Sequence, residues 1–326
     1  MKRREFIAIL GSAAIWPGVA AAQRPSVPVI GFLSSASLSA SQLLLNDFRK
    51  GLAEAGYDAQ SVIIEYRWAD GRYDQLPALA EDLVGRRVQV IATAGGSTSA
   101  LAASKATSTI PIVSIMGSDP VKLGLSASLS RPDKNVTGVA QLLADAEVKR
   151  LEILHELVPD VKMVGYLANP NNARFNEQRS LVEQAASGFG AKVRVLSVTT
   201  KAEIDAALAS VSSEDINAVL VAADPFLFIN VDQIVAWAAT QSLPAVYFVR
   251  EYVRAGGLIS YGTRLGDALR QTGIYTGRIL AGAKPADLPI VQQSEKIELS
   301  VNLRTARTLG ITIPNSLLVR ADEVIE

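Results

Sequence analysis

Short apolar segments rich in Val and Ile alternate with longer segments of helical period along most of this chain. The apolar segments are continuous rather than alternating in polarity, which is typical of parallel strands covered by helices on both faces. The pattern therefore predicts an α/β fold built from βα units. The predicted strands are Val29–Ser34, Val62–Tyr66, Val88–Thr93, Ile112–Met116, Met163–Ala168, Val193–Val198, Ala218–Ala223, Ala245–Val249 and Leu258–Tyr261.

The strand pattern occurs twice. The second copy follows the first by roughly 130 residues, and the order of the matching segments is preserved. A chain of 326 residues is long enough for two domains, each with its own core. We therefore predict two Rossmann-like lobes with parallel sheets flanked by helices. The matching segments are Ile30–Ser35 with Val164–Asn169, Val90–Ala92 with Val219–Val221, and Ile110–Val113 with Leu243–Val246.

The two lobes are predicted to be discontinuous in sequence and joined by a multi-strand hinge. Strong turn residues at Arg131–Asn135 indicate one link, and a second crossing is expected near Arg254–Gly257. A hinge of several strands allows the lobes to rotate against each other. The predicted division is residues 23–120 plus 258–288 for the N-terminal lobe, 136–250 plus 290–326 for the C-terminal lobe, and 119–137, 251–257 and 284–292 for the hinge.

Residues 1–22 have the features of an export signal. Lys2, Arg3 and Arg4 precede an apolar segment, and the small residues Ala20–Ala22 follow it. The arginine pair resembles a twin-arginine signal, with a Sec signal as the alternative. Elsewhere no charge-free run of about 18 apolar residues occurs, so the mature chain is not expected to span a membrane. We expect a periplasmic protein that is soluble after signal removal.

Composition excludes several functional classes. The chain has no cysteine, which excludes disulfides, thiolate metal sites and cysteine nucleophiles. The single histidine, His155, lies in an apolar helical segment and is expected to be a packed or surface residue. Lys plus Arg and Asp plus Glu both number 32, so no net field favours nucleic acid. We expect no catalytic site, no metal and no cofactor.

The residues that follow the predicted strands are small and polar. In open parallel sheets, ligands bind outside the carboxyl ends of the strands, so these residues are expected to contact a ligand. The predicted ligand-binding residues are Ser34, Ser35, Gly96, Ser97, Thr98, Gly117, Ser118 and Asp119 in the first half of the chain, and Asn169, Asn171, Asp224 and Phe226 in the second.

Two of these sites are predicted to bind the two charged groups of a zwitterionic ligand. Gly95–Thr98 lies between a strand and a helix expected at 97–107, where free N–H groups and hydroxyls favour a carboxylate; the alternative is an ordinary Ser or Thr N-cap. Asp224 either accepts hydrogen bonds from an ammonium group or caps the next helix. Phe226 either covers an apolar part of the ligand or belongs to the core. Asp119 lies either in the cleft or in a turn.

With these features in place, the chain resembles the substrate-binding proteins of ATP-binding-cassette (ABC) importers, in the subfamily associated with tryptophan and other aromatic amino acids. The resemblance covers nearly the whole chain, and its motifs are specific only in combination. They are Val29–Ser34, Ile64–Ala69, Ile110–Val113, Asp119–Val121, Gly124–Leu125, Asn135–Gly138, Leu167–Pro170 and Leu309–Pro314.

The resemblance implies the type I periplasmic-binding fold, with a small ligand enclosed between two lobes. It places the ligand carboxylate near Ser35, Ser97 and Thr98, its ammonium at Asp224, and Asn169 on the opposite wall. The segment Ser114–Ser118 departs from the family pattern at Met116, so the identity of the ligand does not carry over. The implied partners are an amino acid, with aromatic ones among the candidates, and ABC permease subunits, with the protein acting as a monomer.

Three other functions fit a two-lobe fold. An amino-acid racemase without a cofactor needs a pair of cysteines, which the chain lacks. A transcription regulator would carry a DNA-binding motif before Pro28, where an export signal is predicted instead. A sensory protein that presents a small molecule to a chemoreceptor or sensor kinase stays open as the alternative.

Overall fold

The computed structural model describes residues 27–141, 144–212, 214–293 and 297–326; the predicted signal, residues 1–22, lies outside them. The described residues form two mostly parallel sheets, one of six strands and one of seven. This arrangement confirms the predicted α/β class with two Rossmann-like lobes. We call the six-stranded sheet and its helices the first lobe, and the seven-stranded sheet and its helices the second lobe.

All of the predicted strand segments form strands, with ends that shift by a few residues. Within the described residues, the strands in chain order are β1 (Val29–Ser34), β2 (Ile63–Trp68), β3 (Val90–Ala94), β4 (Ile112–Met116), β5 (Val136–Ala140), β6 (Met163–Ala168), β7 (Lys192–Ser197), β8 (Ala218–Val221), β9 (Ala245–Tyr247), β10 (Ile259–Thr263), β11 (Val291–Gln292), β12 (Ile297–Asn302) and β13 (Glu323–Ile325).

Helices cover both faces of each sheet, as continuous apolar strands require. Short 3-10 turns occur at Tyr73–Gln75 and Pro285–Asp287. The α-helices are α1 (Leu38–Glu54), α2 (Leu76–Gly85), α3 (Ser97–Ala106), α4 (Ala144–Leu157), α5 (Phe175–Gly188), α6 (Lys201–Ala209), α7 (Pro225–Ile229), α8 (Val231–Thr240), α9 (Arg250–Arg254), α10 (Leu265–Leu280), α11 (Leu303–Thr308) and α12 (Asn315–Leu318).

The two lobes repeat one topology. The first sheet contains the strand order β2-β1-β3-β4-β5, and the second contains the same order in β7-β6-β8-β9-β10. The segments that match in sequence occupy equivalent strands, namely β1 and β6, β3 and β8, and β4 and β9. The repeat inferred from sequence is therefore confirmed, and the carboxyl ends of equivalent strands supply equivalent positions in the two lobes.

Three strands lie in the other lobe from the one predicted for their residues. β11, predicted within the hinge and the C-terminal lobe, pairs in parallel with β5 of the first sheet. β5 was expected in the second lobe, but it pairs in parallel with β4 of the first sheet. The loop before it stays in the first lobe, because Asn135 Nδ2 donates to the carbonyls of Thr107 and Ile110. β10 was expected in the first lobe, but it pairs with β9 and β12 of the second sheet. The predicted links at Arg131–Asn135 and Arg254–Gly257 therefore lie within single lobes.

In the described chain, the passages between lobes come after β5, between β10 and α10, and between β11 and β12. Gln141, in the first passage, contacts one polar side chain from each of the other two. Gln141 Nε2 donates to Thr263 Oγ1 at 2.9 Å and to Gln293 Oε1 at 3.2 Å. The hinge is thus tied together by a buried amide rather than by packing alone.

The apolar core of the first lobe has two layers that follow strand alternation. Ile30 and Phe32 of β1 face α1 and α10, where they pack on Phe48 and Leu269. Leu33 faces the opposite layer, which α2 and α3 cover. Burial of these side chains stabilises each lobe by roughly 1.5–3 kcal/mol per residue and fixes the strand ends that border the cleft.

Candidate ligand-binding cleft

A cavity of about 120 Å³ lies between the lobes at the carboxyl ends of the strands. An apolar cavity of about 150 Å³ holds one benzene molecule, so this volume fits one small ligand. Its wall is mainly apolar and combines side chains from the first lobe with Phe228 and Phe248 of the second. The first-lobe members include Phe32, Leu44, Leu45, Ile115, Leu265 and Leu269.

The first polar part of the cavity is the start of α3. Gly95 and Gly96 have φ angles of 78° and 79°, which favour glycine, and a Cβ at Gly95 would lie 2.2 Å from Ser35 Oγ. The N-cap residue is Gly96, and no side chain caps the helix. Ser97 is therefore not the N-cap that the alternative interpretation expected. Among the described residues, no side chain accepts a hydrogen bond from the first N–H groups of α3.

The hydroxyl of Ser97 links two strand ends. Its Oγ accepts hydrogen bonds from the backbone N–H groups of Gly117 and Ser118, both at 3.1 Å. A hydroxyl that accepts two bonds keeps its own proton for a further acceptor. Thr98 is half-buried and also lines the cavity. The first N–H groups of α3 and the hydroxyls of Ser97 and Thr98 together form a cluster of hydrogen-bond donors that suits a carboxylate. We call it the donor cluster.

Asp224 lines the cavity but is already bonded within the protein. It is the N-cap of α7 and accepts from Leu227 N at 3.1 Å. It also accepts from Tyr73 Oη at 2.9 Å, Asn172 Nδ2 at 2.7 Å and Asn169 Nδ2 at 3.5 Å. Burial raises the pKa of this carboxyl, and the hydrogen bonds from Asn172, Tyr73 and other donors partly oppose the shift. Asp224 therefore caps helix α7, which was the alternative to binding an ammonium group.

Tyr73 bridges the two lobes. It belongs to the first lobe, and its hydroxyl donates to Asp224 Oδ2 and accepts from Phe226 N at 3.2 Å in the second. Burial, together with the charge of Asp224, raises the pKa of Tyr73 well above its usual value, so the phenol stays protonated and donates. These contacts hold the two lobes together across the cleft, so the structure is a closed one.

Arg174 is a cavity residue that the sequence analysis missed. It follows β6 by several residues, at the N-cap of α5, and its side chain is 5% exposed. Its Nε makes no hydrogen bond with a described residue, and Glu177 Oε2 lies 3.7 Å away. Burial lowers the pKa of the guanidinium, while Glu147 and Glu177 act in the opposite direction. An arginine remains charged at neutral pH despite such a shift.

The predicted site residues fall into three groups. Ser34, Gly96, Ser97, Thr98, Gly117 and Asp224 line the cavity. Ser35, Ser118 and Asn169 are buried next to it and bond to cavity residues or their backbone. The structure does not bring the others to the cavity: Asp119 caps a turn through Val121 N, Asn171 is exposed, and Phe226 packs on Gly71.

The residues missed were the apolar wall from α1 and α10, the second-lobe aromatics, and the polar residues Gln141, Asn172 and Arg174. For Asn172 and Arg174 a signal existed, because both lie in the loop that follows β6. His155 stacks on Phe189 with ring centroids 4.5 Å apart, as expected of a packed histidine. Among the described residues, no group of three His, Cys, Asp or Glu could hold a metal ion.

Two similar lobes around one cavity of this kind define a ligand-binding protein of the hinged, two-lobe class. The family model of ABC transporter substrate-binding proteins matches residues 26–325. The chain therefore belongs to the ABC transporter substrate-binding protein family. This result confirms the family resemblance seen in the sequence.

Individual relatives agree with this assignment. The tyrosine-binding protein of Clostridioides difficile strain R20291 is 25% identical over 280 residues, which cover 85% of this chain and 80% of that protein. A conserved domain protein from Vibrio cholerae O1 biovar eltor has a TM-score of 0.83 at 26% identity, covering 91% of this chain and 99% of that one. A protein from Streptococcus pneumoniae solved with L-Trp has a TM-score of 0.81 at 27% identity, with 92% and 100% coverage.

The comparisons thus support a relationship to binders of aromatic amino acids. No helix among the described residues has the length and apolar character needed to cross a bilayer.

Proposed function

We propose that this chain is the periplasmic component of an ABC importer that binds one small amino-acid-like molecule and delivers it to a membrane permease. The observation that carries the proposal is a small interlobe cavity with a mainly apolar wall and a donor cluster at Ser97 and Thr98. A ligand with a carboxylate and an apolar side chain matches both parts. One relative is named a tyrosine-binding protein and another was solved with L-Trp, and both names support the same class of ligand.

Binding and hinge closure act as one equilibrium in this proposal. In an open form the cavity is accessible, and in the closed form the contacts of Tyr73 with Asp224 and Phe226 form across the cleft. A ligand that touches both lobes stabilises the closed form by the difference in its affinity for the two forms. The protein acts through binding alone, without covalent chemistry, and the closed form is what the permease receives.

The proposal is tested by thermal unfolding of the refolded, ligand-free mature chain against a metabolite panel. A true ligand at 100 times its Kd adds about 2.7 kcal/mol to the free energy of unfolding. We expect aromatic or branched amino acids to give the largest shifts in melting temperature, and the double variant Ser97→Ala/Thr98→Ala to weaken that binding about tenfold or more. Uptake of the labelled compound by cells with and without the protein then tests delivery.

Ser104→Ala is the matched control, because its hydroxyl donates to Leu101 O on the same helix and lies outside the cavity. Its affinity should equal that of the unmodified chain. A sugar or purine that binds while no amino acid does would overturn the proposal.

Tyr73→Phe should weaken ligand binding by about tenfold or more. The change removes a hydrogen bond to a charged acceptor, which is worth about 1.5–3 kcal/mol, and leaves Phe226 N without its acceptor. Because both contacts exist only when the lobes are closed, the closed form loses stability relative to the open one. Titration calorimetry with the compound that gives the largest thermal shift measures the effect.

The matched control is Tyr66→Phe. Its hydroxyl accepts from Arg49 Nη2 at 3.2 Å within the first lobe, away from the cleft. Equal affinities for the two variants would show that the contacts of Tyr73 contribute nothing to closure.

A further inference from the structure

Among the described residues, the guanidinium of Arg174 has no hydrogen-bond acceptor. The side chain is 5% exposed and lines the cavity, and its Nε has no acceptor among the described residues. In the described chain, the other guanidinium nitrogens make no hydrogen bond either. Burying a cation whose donors lack hydrogen-bond acceptors is costly, and the fork of N–H donors on arginine fits a carboxylate in two contacts at once.

The two described acidic groups near Arg174, Glu147 and Glu177, do not accept hydrogen bonds from its guanidinium. Glu147 is fully buried and accepts from Arg150, from Tyr166 Oη at 3.2 Å and from Gln178 Nε2 at 3.4 Å. Glu177 lies 3.7 Å from Nε, beyond hydrogen-bond distance, and its side chain is 43% exposed, so solvent screens this pair. Neither described acid therefore occupies the donors of this guanidinium, whose side chain lines the cavity.

Arg174 also lies against the donor cluster of the first lobe. A Cβ built on Gly117 would contact Arg174 Cδ at 3.6 Å, and the N–H of Gly117 donates to Ser97 Oγ. The side chain of Arg174 from the second lobe and the start of α3 from the first therefore line the same part of the cavity, next to Gly117. An anion bound there would contact both lobes and so favour closure.

The described part of the cavity wall offers no matching site for a cation. Among the described residues that line the cavity, Asp224 is the one acidic side chain. Its two oxygens already accept four hydrogen bonds from the protein, which fill the acceptor positions of a carboxylate. An ammonium group would have to replace one of these donors, whereas a carboxylate at Arg174 replaces none.

From these contacts we infer that the cleft selects its ligand as an apolar monocarboxylate, with Arg174 and the start of α3 binding the carboxylate and the amino group contributing little. This inference rests on the proposed function and narrows its ligand class. It means that aryl- or branched-alkyl carboxylates without an amino group bind with affinities similar to those of the corresponding amino acids. It also makes Arg174 the residue that excludes amides and esters of the same shape.

Two series of three compounds test the ligand class on the unmodified, refolded mature chain by titration calorimetry. They are L-phenylalanine, 3-phenylpropionate and L-phenylalaninamide, and L-leucine, 4-methylpentanoate and L-leucinamide. In the series that binds, the amino acid and its deaminated analogue should have Kd values within about fivefold of each other. The amide should bind roughly 100-fold more weakly, because the guanidinium then lacks its anion.

Arg174→Met tests the residue itself. It keeps an unbranched stem of similar length and removes the charge, so both carboxylates should bind roughly 100-fold more weakly while the amide is unaffected. Arg179→Met is the matched control: it lies on the same helix, is 46% exposed and pairs with Glu183 at 3.7 Å, and it should leave every Kd unchanged. If Arg174→Met fails to fold, Arg174→Lys tests the same charge without the fork and should give an intermediate loss.

The outcomes separate this inference from the proposed function. Binding of an amino acid together with a deaminated analogue that is 100-fold weaker would overturn the inference and leave the proposed function standing. An amide that binds as well as its acid, or an Arg174→Met chain with unchanged affinities, would do the same. If the unmodified chain binds a sugar or purine and binds neither these carboxylates nor any other amino acid, both the inference and the proposed function fail.

Discussion

Replacing Glu147 by Gln should lower the free energy of unfolding by about 3–5 kcal/mol. Glu147 and Arg150 are both 0% exposed and form an ion pair one helical turn apart on α4. Removal of one partner leaves the other charge buried without compensation, which is the costly case for a buried pair. Gln keeps the shape of Glu, so the loss reports charge rather than packing. Chemical unfolding of the ligand-free chain measures it.

Neighbouring groups add to this loss. Arg150 Nη1 donates to Tyr261 O at 3.0 Å, and Tyr166 Oη donates to Glu147 Oε1. Burial and the charge of Glu147 raise the pKa of Tyr166 well above its usual value, so its phenol is a fixed donor. The cluster joins α4 to β6 and β10, so its loss affects the second lobe as a whole.

Glu152→Gln is the matched control for Glu147→Gln. Glu152 pairs with Lys149 on the same helix at the same spacing, at 2.7 Å, but the two side chains are 44% and 36% exposed. An exposed pair contributes about 0–1 kcal/mol, so this variant should be nearly neutral. The double change Glu147→Leu/Arg150→Met should recover much of the stability that Glu147→Leu loses. Similar losses for Glu147→Gln and Glu152→Gln would contradict the assigned role of burial.

Local sequence predicted nine of the thirteen described strands because their signal is local, and it did not predict β5, β11, β12 and β13. Continuous apolar runs such as Val90–Ala94 depend on burial on both faces, and the run itself carries that information. The same reasoning located the donor cluster, since the residue after a strand lies at the ligand edge wherever the sheet lies. Ser97, Thr98 and Gly117 were found in this way.

The lobe to which a strand belongs could not be predicted from the local sequence. β5 follows a loop with strong turn residues, which a link between domains would also show, but that loop is held to the first lobe through Asn135. β5 is in place because Gly138, with φ of 138°, lets it approach β4, where a Cβ would lie 2.0 Å from Ser114 O. This close approach involves residues distant in sequence, so neither segment alone predicts it.

The missed part of the cleft also depends on long-range contacts. Leu265 and Leu269 line the cavity because α10 crosses from the second lobe and packs on the first. Arg174 is buried because residues of α4, β6 and α5 surround it, and nothing in its own loop indicates that burial. An apolar stripe on a helix predicts that a residue is buried, but not whether it faces the protein core or a cavity.

Gly273→Ala should destabilise the chain by about 2–3 kcal/mol or more, although alanine is the better helix former. α1 and α10 approach so closely that a Cβ at Gly273 would lie 2.1 Å from Phe48 O, and one at Gly51 would lie 1.9 Å from Arg270 O. Both obstacles are backbone atoms, so no side-chain rotation relieves them and the helices must move apart.

The same substitution at Gly188 should have the opposite sign. Gly188 ends α5 with nothing within 4 Å of an added Cβ, so Gly188→Ala should stabilise the chain by about 0.5–1 kcal/mol. Equilibrium unfolding of both variants in denaturant compares them directly.

A Gly273→Ala chain at least as stable as the unmodified one would mean that α10 does not hold the first lobe through this contact. Because α10 begins directly after the passage from β10, a displaced helix should also move Leu265 and Leu269 and reduce ligand affinity, whereas Gly188→Ala should not.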